Sequence, residues 1–205
     1  MNPGNIRNII FDLGGVILNI DYHKTGQSFI ELGITNFNEL YSQFHANNFF
    51  EDFEQGRIDK TTFVQQLQTY APAISEEEIL KSWNAMLLDF PAGRINFLMD
   101  LKSKYRTFLL SNTNIIHHES FQSIVLDTTG TLDACFEKAY YSHELGMRKP
   151  GKEIFEFVLR ENNLLAEETL FLDDTLANVQ TAASLNLQVH HIQPGERIEE
   201  LLRNF

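Results

Sequence analysis

Cysteine is nearly absent from this chain: Cys135 is the only one in 205 residues. No disulfide can close within the sequence, and a reducing compartment, the cytoplasm, is the expected location. Cys135 itself reads as a small buried hydrophobe rather than a reactive thiol. No apolar run approaches the roughly 18 residues of a membrane span. The opening MNPGNIRNIIFDLGG has too short an apolar stretch, and too early an acid, for a signal peptide. Positive charge is also scarce, with 16 Lys and Arg against 28 Asp and Glu and a net charge of −12. Such a surface repels nucleic acid and anionic membranes, so neither is an expected partner. An anionic small molecule would be repelled too unless a cation and local positive groups offset the field. Internal repeats, low-complexity tracts and disordered linkers are missing as well.

What remains is ample core material, 43% apolar with 17 Phe, in one large domain or a domain carrying an insertion. Residues 7–12 read as a short buried strand leading into Gly14 and Gly15. From about residue 21 to 88 the pattern is helical throughout, with Phe29, Leu32, Leu40 and Phe44, then Phe63, Leu67 and Tyr70, at helical spacing. Gly56 and Asp59 mark a helix end and the next N-cap, and Ser75 with Glu78 forms a capping-box signature. Phe49, Phe50, Phe53 and Trp83 are the expected core of this block, while Glu51, Asp52, Gln55 and Arg57 could reach a ligand from it. After Pro91 helices alternate with strands, expected at 106–110, 138–142, 169–172 and 188–192. One of the intervening helices is expected at 115–125. That alternation implies a parallel sheet. The expected architecture is α/β, a Rossmann-like doubly wound sheet over residues 1–19 and 90–205, with an all-helical insertion over residues 20–89.

In such sheets ligands bind beyond the carboxyl ends of the strands. Asp12, Ser111 and the Asp173-Asp174 pair all follow apolar runs and so fall at those ends. A carboxylate at Asp12 can attack phosphorus and split one displacement into two. Gly14 and Gly15 let backbone groups approach a phosphoryl group closely. Ser111 and Asn112 offer a hydroxyl and an amide to a phosphoryl oxygen. Lys149 can neutralise both nucleophile and phosphate. Asp173 and Asp174 would repel one another alone, but together suit a hard cation such as Mg²⁺. Asn178, one helical turn beyond Asp174, could hold a metal-bound water.

The ordered set Asp12, Ser111, Lys149 and Asp173-Asp174 resembles the haloacid dehalogenase superfamily of phosphohydrolases, over essentially the whole chain. The helical block resembles the cap these enzymes insert after their first strand. The resemblance implies an Mg²⁺-dependent phosphatase acting on a small phosphorylated metabolite. It implies Asp12 as the nucleophile that carries an aspartyl-phosphate and Lys149 as the charge clamp. Phosphate would be held by Ser111, Asn112, Gly14 and Gly15. The metal would be held by Asp12, the Gly14 carbonyl and Asp174, with Asp173 and Asn178 behind them.

One position departs from the family pattern: Gly14 stands where a second aspartate would protonate the leaving group. A positioned acid or base is worth ~10²–10⁴-fold in rate. Either the leaving group needs little protonation, or another group substitutes, with Asp21 and His23 the candidates, or turnover is slow or absent. FDLGGVILNIDYHK also resembles a glycine-bearing branch that includes an α-D-glucose-1-phosphate phosphatase, which favours sugar phosphates. Two alternatives stay open, a non-catalytic or very slow phosphometabolite binder and a 2-haloacid dehalogenase. The Asp173-Asp174 pair argues against the second, whose chemistry has no use for Mg²⁺. Asp127, in LDTTGTLD, imitates a nucleophile motif but has no partners downstream and reads as a polar turn. The adjacent pairs His117-His118 and His190-His191 point to different faces and are expected at the surface or a sheet edge. The oligomeric state is not legible.

Overall fold

The computed structural model describes residues 3–40 and 48–203. Phe44 and the side chain of Leu40, assigned above to a helical stripe, lie outside the described residues. Strand β1, Asn8–Phe11, is buried along its whole length, as expected of a strand covered on both faces. Among the described residues the next elements are all helices: α1 (Tyr22–Glu31), α2 (Phe37–Leu40), α3 (Asn48–Glu54), α4 (Lys60–Gln68) and α5 (Glu76–Asn84). Local signals set their starts. Asp21 caps α1, Asp59 caps α4, and Ser75 with Glu78 closes a capping box on α5.

The alternating half comprises α6 (Arg94–Lys102), β2 (Arg106–Ser111), α7 (Ile115–Thr129), β3 (Lys138–Tyr141) and α8 (Ser142–Leu145). It continues with α9 (Lys152–Glu161), β4 (Thr169–Asp173), α10 (Leu176–Ser184), β5 (Gln188–His191) and α11 (Ile198–Leu201). All the strand pairs are parallel, in the order β3-β2-β1-β4-β5. The fold is therefore the α/β, Rossmann-like doubly wound sheet that the sequence pattern implied. Alternate residues feed its two faces: Ile9, Phe11, Leu109 and Leu172 pack one side, Ile10, Phe108, Leu110 and Phe171 the other. Among the described residues no helix is long and apolar enough to cross a membrane.

Two local expectations change. Helix α7 runs beyond Val125 to Thr129 and absorbs Asp127, which lies in a helix and not in a turn; Gly130, at φ +78°, stops it. Strand β3 ends at Tyr141 because Ser142 opens α8, a short helix the hydrophobic pattern was too brief to show.

The inserted helices have their own apolar cluster, built on Phe29, Phe37, Phe50, Phe53, Phe63 and Trp83, with Phe49 packed against it. Ile116 of α7 joins that cluster from the sheet side. Beside it runs a buried polar seam. Trp83 Nε1 donates to Asn114 Oδ1 at 3.2 Å, and the His117 ring stacks on the Trp83 ring at 5.1 Å. Trp83's carbonyl lies 3.0 Å from His117 Nε2, and Asn114 Nδ2 lies 3.1 Å from His117 Nδ1. These partners assign a neutral ring with the proton on Nε2, since a protonated Nδ1 would face an amide that can only donate. His117 is thus buried in this seam and not at the surface, a correction made by partners distant in sequence.

Burial pushes His117 down to about 4, the Trp83 carbonyl opposing it only in part. An unfolded chain takes up this proton near pH 6.5, the folded one only near 4. Stability from His117 is therefore complete above pH 6.5 and drains away as pH falls to about 4. The loss should reach about 3 kcal/mol. Denaturant unfolding across that range should show this fall in the parent protein and a shallower one in His117→Gln.

Candidate active site

Asp12 is the first residue after β1, and its N–H donates to the Leu172 carbonyl at 2.9 Å, which fixes it between β2 and β4. β1 is the strand at which the chain switches direction across the sheet, so the site lies at the topological switch point. Lys149 reaches the same spot from the segment before α9. Its ammonium donates to Asp12 Oδ1 and to Asp173 Oδ2, both at 2.7 Å, with its side chain 1% exposed. Asp173 is held again by Asn178 Nδ2, at 3.1 Å and 3.0 Å from its two oxygens, and by the Thr175 N–H at 2.7 Å. Both Asp173 oxygens are thereby occupied, and Asn178, expected near a metal-bound water, orients this carboxylate through its amide nitrogen.

Asp174 is less constrained. Its Oδ1 accepts from the Thr175 hydroxyl at 3.3 Å, and its Oδ2 lies against Gly15. A Cβ at residue 15 would overlap that oxygen, and φ there is +72°, so only glycine fits for two independent reasons. The side chain of Arg94, itself buried, steadies this loop by donating to the Val16 carbonyl and by a two-pronged bond to Glu199 at 2.7 Å and 3.1 Å.

Ligand oxygens of Asp12, Asp173 and Asp174 lie within 4.8 Å of one another. Three carboxylates share one ammonium. Burial raises Asp12 to about 7, against the pull of Lys149 and with help from Asp173 and Asp174. Asp174 is raised as well, first by burial and then by Asp173. Lys149 loses charge stability through burial but regains more from Asp12 and Asp173, so it stays protonated. The cluster is rich in hard oxygen donors and short of positive charge, which fits a small divalent cation.

Other expected residues fall less simply. Ser111 ends β2 with its hydroxyl making only a 3.4 Å contact to the Asn112 carbonyl. Asn112, expected at the phosphate, has its side-chain amide committed to Lys149: it accepts from the Lys149 N–H at 2.9 Å and donates to the Lys149 carbonyl at 2.8 Å. It positions the lysine. Asp21 caps α1 by accepting the His23 N–H at 3.0 Å, and the His23 side chain is exposed. A Cβ at Gly14 would meet Ile20 Cδ1 at 2.9 Å, so an apolar side chain fills the direction a second carboxylate would take. Glu51 pairs with Arg148 at 3.1 Å, while Asp52 and Gln55 both hold Arg57 at 2.9 Å, so these four are engaged with protein groups. One contact was not expected at all: His191 Nε2, at the end of β5, lies 2.9 Å from the Asp174 carbonyl. A histidine at a strand end was its only signal.

Comparison with known proteins agrees with this geometry. Residues 6–186 match the family described as haloacid dehalogenase-like hydrolase. The D-ribitol-5-phosphate phosphatase of Bacteroides thetaiotaomicron is 30% identical over 192 residues, covering 93% of this chain and 93% of that protein. A haloacid dehalogenase family enzyme of Bacteroides thetaiotaomicron, crystallised with magnesium and inorganic phosphate, matches with a TM-score of 0.89 at 32% identity, over 97% of this chain and 100% of that one. A haloacid dehalogenase-like hydrolase of Porphyromonas gingivalis matches with a TM-score of 0.87 at 32% identity, over 98% and 99% of the two chains.

Proposed function

The chain belongs to the haloacid dehalogenase-like hydrolase family, and from that premise we propose that it is an Mg²⁺-dependent phosphatase for a small phosphorylated sugar or polyol. The observation that carries the reading is Lys149, buried and held 2.7 Å from both Asp12 and Asp173 at the switch point of the sheet. Residues 20–89 would act as a cap over a core of residues 1–19 and 90–205. The relatives support the reaction type, one of them a phosphatase of a polyol phosphate and another crystallised with magnesium and phosphate. The single cysteine is in keeping with a cytoplasmic setting.

In this reading Asp12 attacks phosphorus, and the P–O ester bond breaks with its electron pair leaving on the substrate oxygen. Water then cleaves the aspartyl-phosphate, which releases inorganic phosphate and restores the carboxylate. Lys149 keeps Asp12 aligned and offsets negative charge as phosphate enters. Ser111 and the backbone around Gly14 and Gly15 hold the non-bridging oxygens. Asp12, Asp174 and the Gly14 carbonyl would hold Mg²⁺, with Asp173 and Asn178 behind them. Bound there, the cation supplies the positive charge that lets the carboxylates and the phosphoryl group share one site. Asp21 and His23 remain the candidates for moving the leaving-group proton.

The filled space beside Gly14 favours a second reading, a phosphometabolite binder with little turnover. Phosphate release from ribitol 5-phosphate, hexose 1- and 6-phosphates and acetyl phosphate separates the two. Turnover with Mg²⁺ that stops on adding EDTA is the expected result. Silence across the panel, with inorganic phosphate still bound in Mg²⁺, would replace the enzyme with the binder.

A further inference from the structure

We propose that His118, His143 and Glu144 form a second cation site, suited to a borderline transition-metal ion such as Zn²⁺ and separate from the aspartate cluster. One ligand atom from each residue lies within 4.8 Å of the other two. His118 comes from α7 and His143 and Glu144 from the start of α8, and the two imidazole rings are 5.4 Å apart at 52°. An ion with bonds of about 2.1 Å needs ligands ~3.4 Å apart, a closure within reach of side-chain rotation.

The observation that points to a ligand is His143. Both of its ring nitrogens are buried and neither makes a hydrogen bond of good geometry, the nearby Thr113 carbonyl acting on the ring only weakly. A buried polar group left in that state is costly unless something pairs with it. His118 is held differently. Its Nε2 lies 3.3 Å from the Gln122 amide, and Gln122 is anchored at 2.7 Å to both Asp133 and the Leu132 N–H. Tyr141 packs edge-on against the same imidazole at 4.5 Å. The Gln122 amide nitrogen can only donate, so His118 Nε2 carries a lone pair, which is the form a metal needs. Glu144 is exposed, which leaves a path from solvent.

The donor set decides the ion. Two imidazoles and a carboxylate suit Zn²⁺ and its neighbours, whereas the three carboxylates around Asp12 suit Mg²⁺. The site sits where the sheet domain meets the inserted helices. The Ser142 hydroxyl donates to the Glu54 carbonyl, and the His143 carbonyl occupies the space a Cβ on Gly56 would need. A metal here would tie α7 to α8 beneath α3.

Titration of the full-length protein with Co²⁺, in excess Mg²⁺, tests this through visible absorption. The parent should bind one equivalent with a nitrogen-ligand spectrum, and Asp174→Asn should bind it equally well. His118→Asn and His143→Asn should weaken binding by roughly 10-fold or more each. Glu144→Gln, exposed and without risk to folding, should weaken it too. The proposal is overturned if the parent shows no such spectrum. It is equally overturned if Asp174→Asn loses the Co²⁺ while folded His118→Asn or Glu144→Gln retains it.

Discussion

Asp12→Asn should lower Mg²⁺-dependent phosphate release by roughly 10⁴-fold or more, and in EDTA it should unfold at a higher temperature than the parent. The two effects share one cause. Asp12, Asp173 and Asp174 crowd one ammonium in a buried pocket, and burial already pushes Asp12 up to about 7. An amide keeps the shape and removes one negative charge, so the metal-free protein gains. Mg²⁺ should narrow the gap, because it stabilises the parent in proportion to its affinity and the variant less. Lys149→Met should go the other way on stability while also abolishing turnover. It leaves Asp12 and Asp173 facing each other without the cation that now lies 2.7 Å from both. Breaking a buried pair from one side costs about 3–5 kcal/mol. The double variant should cost less than the sum of the two, because the carboxylate Lys149 protects is already gone. Thermal unfolding with and without EDTA, beside phosphate release, measures all of this. If Asp12→Asn destabilised the metal-free protein as Lys149→Met does, charge crowding would not be what governs this site.

The parts of this arrangement legible in sequence are those where a residue's type and its local pattern suffice. β1, β2 and β4 are apolar runs, with Asp12 just after β1 and Ser111 and Asp173 closing the other two, so both the parallel sheet and the gathering of these residues at one edge follow from chain order. The caps on α4 and α5 depend on neighbours within three residues, and they too are legible, whereas Asp21, read as a proton-transfer candidate, caps α1. What was hidden depends on partners far apart in the chain. Asn112 and Lys149 are 37 residues apart, yet the asparagine's side chain clamps the lysine's backbone. His117 looked like one half of a surface pair until Trp83, 34 residues earlier, supplied its acceptor. His118 and His143 acquire meaning only when α7 and α8 are laid side by side. Helix α8, four residues long, is too short for periodicity to reveal.

Gly14 carries the other large expectation. With no carboxylate at that position, kcat/KM should fall steeply as the leaving group becomes more basic, so acetyl phosphate should far outrun hexose 6-phosphates. Gly14→Asp combined with Ile20→Ala should flatten that dependence. The single substitution must displace Ile20 Cδ1, which a new Cβ would meet at 2.9 Å; shortening Ile20 clears the space. Phosphorylated alcohols should then speed up by ~10²–10⁴-fold, the usual worth of a positioned general acid. Acetyl phosphate, whose leaving group needs no proton, should barely respond. Ile20→Ala alone is the control, since widening the pocket without adding an acid should change binding and leave the slope steep. A shallow slope in the parent would mean that protonation is already supplied. Its return to steepness in Asp21→Asn or His23→Gln would then identify the group that supplies it.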